Sequence, residues 1–310
     1  MIRALHRWPG LLALALVMVL AISGAALSVF PAAERLSAPQ AETGLTVAEL
    51  AAKVQAAYPG VEQIRRAPSG RITAFWFDNG TPGSAVIDPA TGQAIASADP
   101  NPVERWLTNL YRSLFLGDAG RIAMAVGAAA MVVLSVSGAI LFSRRMGGWR
   151  RWFAPVRGPW PGRLHTGIAR VAVLGLALSS VTALWMTAST FDLLPDGSAA
   201  PAFPAEVSGT TGRALATMAP LAATPVASLR ELSFPYPGDA TDAFTLKTDQ
   251  GTGYIDQGTG ELLAWAEPNA WERMSEIVHM LHTGQGAVAL GLVLGAVALG
   301  VPAMGVSGLV

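Results

Sequence analysis

Four histidines, His6, His165, His279 and His282, are the residues of this 310-residue chain whose type and placement point most directly to chemistry. Imidazole titrates near neutral pH and is the commonest metal ligand among side chains. Three of the four lie at or just before the start of a long apolar stretch, and His279 lies a turn earlier; none lies in the polar portions of the chain. An ionisable group at membrane depth is costly and usually functional. At an interface it is cheaper, and a histidine there can simply bond headgroups or water, so each residue alone admits both readings. Cysteine is absent, which excludes disulfides, iron–sulfur clusters, thiol catalysis and thioether-linked prosthetic groups. A redox cofactor would therefore need other ligands. HExxH, GxSxG and Walker patterns do not occur. The glycine-rich runs fall in apolar stretches, where small residues aid helix packing.

The elements that must carry these histidines are membrane helices. The chain is 52% hydrophobic and 14% charged, with a mean hydropathy of +0.42, whereas soluble domains carry about 25% charged residues. Four uncharged stretches, Trp8–Ala33, Ile122–Ser143, Val171–Phe191 and Thr283–Val310, each exceed the roughly 20 apolar residues that span a bilayer core. The segments Met1–Arg7 and Arg144–Arg170 hold nine arginines and no acid, while all 21 acids lie in or beside the long connections, roughly 31–121 and 192–282. Short loops rich in Lys and Arg stay in the cytoplasm. The termini and the 144–164 loop are thus expected inside, with the long segments outside: an inner-membrane protein whose outer segments are periplasmic. The balance of 21 basic and 21 acidic residues gives no attraction to nucleic acid. The first apolar run is longer than a signal-peptide core, so it reads as a retained helix.

The two outer segments resemble each other. Residues 87–105 align with 255–273 without a gap, with ten identities in nineteen positions, and Leu5-His6 falls opposite Leu164-His165. This is an internal duplication: each half reads helix, outer domain, helix. Thr46-Val47-Ala48-Glu49 forms a capping box that opens a helix to about Tyr58. Alternating strands follow at Val61–Arg66 and Arg71–Asp78, with a hairpin around Asp88–Gly92. In the second copy, strands are expected at Leu229–Tyr236, Ala243–Thr248 and Tyr254–Ala266, after a loose Ala/Pro/Ser/Thr/Gly linker at 195–224. Asp88 and Asp256 sit at hairpin corners and suit Asx-type hydrogen bonds. The fold class is an α-helical four-span bundle with two small extracytoplasmic α+β domains. Its parts are helix 1 (1–34), outer domain 1 (44–100), a lead-in and helix 2 (101–143), the Arg-rich loop (144–164), helix 3 (165–191), linker and outer domain 2 (195–266), and a lead-in and helix 4 (267–310).

The hairpin IDPATG (87–92), LHRWPGL (5–11), RSLFLGDAGR (112–121) and MLHTGQG (280–286) resemble, as an ordered set, the PepSY domain with its associated transmembrane helices. The resemblance covers essentially the whole chain. It implies kinship with inner-membrane ferric-siderophore reductases and iron-regulated membrane proteins, some of which continue past helix 4 into a flavodoxin-like and flavin-reductase module. It further implies one or two non-covalent b-type haems between histidines of the bundle. The chain would then be a membrane oxidoreductase, or its membrane part. It would pass electrons from a cytoplasmic flavoprotein module or partner to a periplasmic acceptor such as a ferric chelate. The alternative is a non-enzymatic membrane module whose PepSY domains bind or restrain a periplasmic partner. Thr283–Val310 ends without an anchoring Lys or Arg, so the parent chain is expected to continue into the cytoplasm; any flavin would belong to that missing module or to a partner.

Haem needs two axial ligands, a dry slot and cationic partners for its propionates. His6 and His165 share a side and are equivalent in the repeat, so one iron between helices 1 and 3 is reasonable. Gly24, Ala25, Ala26, Gly175, Ala177, Ser179 and Ser180 could admit the macrocycle or merely pack helices; Arg7, Arg163 and Arg170 could meet propionates or merely set topology. A second haem would fall to His282, with His279, on the same helix face, as hydrogen-bond partner. Its opposite ligand is in question, because Tyr111 stands where related proteins have histidine in a stretch resembling LHRSLLLGD. Tyr111, a methionine, water or nothing would stand opposite, making that site a high-spin or weakly occupied haem.

Overall fold

The computed structural model describes residues 1–195 and 197–309; Asp196, in the linker, and Val310, at the end of the fourth apolar stretch, lie outside them. In chain order the helices and strands are α1 (Ile2–Leu27), α2 (Phe30–Ser37), α3 (Val47–Ala57), β1 (Val61–Arg66), β2 (Ile72–Asp78), β3 (Thr81–Ile87), β4 (Ala94–Ser97), α4 (Pro102–Ser113), α5 (Gly117–Met146), α6 (Trp160–Thr190), α7 (Ala219–Ala223), β5 (Leu229–Ser233), β6 (Ala243–Thr248), β7 (Thr252–Asp256), β8 (Leu262–Ala266), α8 (Ala270–Thr283), α9 (Val288–Ala298) and α10 (Gly300–Leu309). Two compact units result: a helical one built from 1–33, 101–195 and 276–309, and a β-rich one from 34–100 and 197–275.

Among the described residues, four helical stretches are long and apolar enough to cross a membrane: Ile2–Ser37, Gly117–Met146, Trp160–Thr190 and Val288–Leu309. α5 packs against α1 and α6; α9 and α10 pack against both α6 and α1, closing a four-membered ring. Most serine and threonine hydroxyls inside it bond to the carbonyl one turn back, as Ser23 does to Val19 and Ser180 to Leu176, which satisfies their protons in an apolar surrounding; the buried Ser135 Oγ has no such partner. Three helices start earlier than their apolar stretches, α5 among them at Gly117. α1 begins at Ile2 and α6 at Trp160, where Pro161 occupies the first turn; arginine forms helix readily and proline suits a first turn. His6 and His165 therefore lie within helices rather than before them. The fourth span breaks between Ala298 and Gly300, since Pro302 has no N–H for the Ala298 carbonyl.

In the β-rich unit the two outer segments join in one antiparallel sheet, ordered β4-β3-β2-β1-β5-β6-β7-β8. Each segment supplies a four-stranded meander whose first strand would be an open edge, and pairing β1 with β5 removes both edges. At the seam Ile64 faces Leu232 and Arg65 faces Glu231. Ile64 and Leu232 are fully buried in the core with Leu50 and Val54 of α3 and Leu246 and Ile255 of the sheet, while Arg65 pairs with Glu231 at 2.9 Å on the more exposed face. Thr46 caps α3 through the expected box: its hydroxyl accepts from the Glu49 amide, and the Glu49 carboxylate accepts from the Thr46 amide. The Tyr254–Ala266 segment is two strands with a turn between them. Asp256 opens that turn, as Asp88 opens its own: Asp88 accepts from the Ala90 amide and Thr91 hydroxyl.

Asp256 is only 2% exposed. It accepts from the amides of Gly258 and Thr259, and from the amide and hydroxyl of Ser208, tying the linker to the hairpin. Burial alone would raise the carboxyl, but these four bonds outweigh it and hold it well below the usual carboxylate range.

Two expectations follow. Ile64→Ala should cost about 2–4 kcal/mol, the range for a fully buried aliphatic side chain, while Arg65→Ala should cost under about 1 kcal/mol; denaturant unfolding followed by tryptophan fluorescence compares them. Asp256 is depressed in the folded state relative to about 3.9 unfolded, so its stabilisation is complete above that value and lost as pH falls through and below it. Thermal unfolding of the full chain should shift downward on acidification below about pH 4, and Asp256→Asn should flatten that dependence.

Candidate functional site

The helical unit brings His6 and His165 together. Their ring centroids lie 6.4 Å apart with the planes at 86°. His6 Nδ1 is 2.9 Å from Ser137 Oγ. The Ser137 hydroxyl donates its one proton to the Val133 carbonyl at 2.5 Å, so it accepts from His6 and fixes the proton on Nδ1. His165 Nδ1 is 2.9 Å from the Met304 carbonyl, which can only accept, and the same tautomer follows. Both imidazoles thus keep the Nε2 lone pair free, as metal-bound histidines do when a hydrogen bond orients the other nitrogen. A bond of about 2 Å from each nitrogen to one metal, plus roughly 1 Å from nitrogen to ring centre, gives about 6 Å between centroids. The 6.4 Å between ring centres is compatible with one metal between them where the two Nε2 atoms turn toward each other.

A cavity of about 710 Å³ surrounds the pair, walled by α1, α5, α6 and α10. That volume lies within the roughly 300–1,000 Å³ of small-molecule and cofactor sites. Glycines make the room: a Cβ on Gly138 would stand 3.0 Å from His6 Cε1, and one on Gly308 would stand 3.4 Å from His165. Arg7, Arg145 and Arg170 reach the same cavity. The Arg170 guanidinium donates through Nη1 to the Ala154 carbonyl at 3.3 Å, which holds its charge beside the cavity. Arg163 is not among the lining residues, and neither are Gly24, Ala25, Ala26, Gly175, Ala177, Ser179 and Ser180. Gly175 instead faces Leu294 and Val297 at 3.2 Å, and Gly24 faces the Tyr111 ring. Sequence reasoning missed the walls contributed by α5 and α10. The signal was there in Ser137-Gly138 and in Met304-Gly305, but small residues in apolar helices read equally as packing.

The remaining candidates meet elsewhere in the same unit. Tyr111 on α4 and His282 on α8 are joined directly, Oη to Nε2, at 3.0 Å. His282 Nδ1 is 3.0 Å from Thr182 Oγ1, whose proton goes to the Leu178 carbonyl at 2.8 Å. The proton of His282 therefore sits on Nδ1, and Tyr111 donates to Nε2. Both residues lie outside the four spans: desolvation pushes the Tyr111 phenol up to about 12, and desolvation followed by the nearby His279 brings His282 down to about 4. At neutral pH the pair is uncharged. The Tyr111 ring is seated against Gly24, where a Cβ would stand 3.1 Å from Cε2. Each partner sits just before a sharp corner: Leu114 and Phe115 have φ of 49° and 60°, and Gly284 has φ of 73° with Gly291 Cα only 2.7 Å from where its Cβ would be. His279 is exposed, 3.4 Å from the Gln285 side-chain oxygen, and touches neither Tyr111 nor a cavity ligand among the described contacts. The repeat offset aligns Tyr111 with His279, yet the fold pairs it with His282.

A four-span helical bundle with an α+β sheet unit, holding a histidine pair in its interior, defines the class. The family model of the PepSY-associated TM region matches residues 3–310, and the chain belongs to that family. A search among curated proteins returned no match.

Tyr111→Phe should cost about 1–3 kcal/mol, because the buried His282 Nε2 would lose its donor. Thermal unfolding in detergent measures this; an unchanged midpoint would mean the bond contributes nothing.

Proposed function

We propose that the chain is a b-type cytochrome, the membrane part of an electron-transfer system, in which His6 and His165 would hold one haem. The observation that carries this is the pair itself: two imidazoles 6.4 Å apart, each turned by a hydrogen bond on Nδ1 so that Nε2 is available. Among the described residues no group of three or more His, Cys, Asp or Glu could hold a bare ion. Two neighbouring imidazoles with no acidic or further histidine ligand beside them suit a metal held within its own organic group. Bound haem would supply reversible one-electron chemistry.

The chain's own residues do the rest. Ser137 and the Met304 carbonyl orient the imidazoles, Gly138 and Gly308 leave the space beside them, and Arg7 and Arg170 offer charge to carboxylates at the cavity. Leu14, Val17 and Val301 give it aliphatic walls. The excess of arginine over acid in 1–7 and 144–170 supports placing this end of the bundle in the cytoplasm of an inner membrane. Electrons would then come to this haem from a cytoplasmic flavoprotein, module or partner; a ferric chelate as periplasmic acceptor would lie roughly 30 Å away across the bilayer core and would be reached through a further carrier.

Protein purified from haem-replete cells should be red, with a Soret band and a sharp reduced α-band of low-spin b haem. His6→Ala or His165→Ala should abolish that signal. Colourless wild-type protein, or an unchanged spectrum in both variants, would contradict the assignment and favour a module that only binds a periplasmic partner.

A further inference from the structure

The second histidine cluster does not fit a haem. His282 has the same tautomer as His6 and His165, with its proton on Nδ1 and its lone pair on Nε2, and Thr182 plays the orienting part that Ser137 plays for His6. The difference is what the lone pair meets. Across the inner pair lies a cavity; across from His282, at hydrogen-bond distance, lies the Tyr111 hydroxyl. An iron bonded to both atoms would hold them about 4 Å apart, two bonds of about 2 Å, with the macrocycle between. The 3.0 Å contact leaves no room for either.

Nor is the tyrosine free to swing aside where it stands. Its ring is packed onto α1 at Gly24, where an added Cβ would stand 3.1 Å from Cε2 and push the ring by a few tenths of an ångström. The corner at Leu114 and Phe115, two residues in the left-handed region, fixes the end of the helix that carries it. His279 offers no substitute, being exposed and turned to Gln285.

We infer that Tyr111 caps His282 and closes this site to haem, so that the chain carries a single haem, at His6 and His165. The inference rests on the proposed function and narrows it: the Thr182–His282–Tyr111 chain is a structural tie between α6, α8 and α4, and no second iron within this chain lies beyond the first.

The test is haem content of the full chain in detergent, saturated with hemin, washed, and measured as pyridine haemochrome against protein concentration. The expected ratio is one haem per chain in the wild type, one in His282→Ala and none in His6→Ala and His165→Ala. Because loss of His282 could disturb folding, Tyr111→Phe serves as the second variant; it removes only the hydroxyl, keeps the ring against Gly24, and should also hold one. A wild-type ratio near two, or haem lost on His282→Ala while His6→Ala retains a share, would overturn the single-haem inference and leave the inner site standing. A ratio near zero in the wild type would overturn the proposed function and this inference with it.

Discussion

Two hydrogen bonds beside the cavity, His6 Nδ1 to Ser137 and His165 Nδ1 to Met304, fix which ring nitrogen of each histidine of the pair stays unprotonated. Neither bond contributes much stability; a neutral hydrogen bond is worth about 1 kcal/mol net. Their effect is positional, because each removes the choice of tautomer and leaves the lone pair on Nε2. The bundle must then bring four helices to one place: α1 and α6 carry the imidazoles, while α5 and α10 supply the orienting oxygens. The break at Gly300 and Pro302 belongs to this requirement, since it is in α10, past the break, that Met304 meets His165.

The same device appears at His282 with the opposite outcome. Thr182 orients it as Ser137 orients His6, yet a phenol occupies the lone pair. The two sites thus differ by what faces the imidazole, a glycine-lined cavity in one and a tyrosine seated on Gly24 in the other. A histidine in a membrane protein is best judged by the nitrogen that remains unpaired.

Much of the architecture was legible in sequence because its signals are strong and local. Uncharged runs longer than a bilayer core, the capping box at Thr46 and Glu49, and the strands Val61–Arg66 and Ala243–Thr248 each follow from composition or period. The joining of the outer segments was not legible, since edge pairing between β1 and β5 is a non-local choice that the alternation within each strand does not specify. The helix starts at Ile2 and Trp160 were hidden by arginines that lower hydropathy without opposing helix. The histidine pair was legible through the repeat. Its cavity was not, because Gly138 and Gly308 read equally as packing residues, and the meeting of Tyr111 with His282 runs against the repeat offset.

The central claim is that His6 and His165 are the two axial ligands of one haem. Electron paramagnetic resonance of the oxidised, haem-loaded chain tests it most directly, because the signal of low-spin ferric iron depends on the angle between its axial imidazoles. Planes at 86° predict a strongly anisotropic low-spin signal with one large g-value, lost in either histidine variant. A high-spin axial signal, or the rhombic low-spin spectrum of near-parallel imidazoles, would contradict the account.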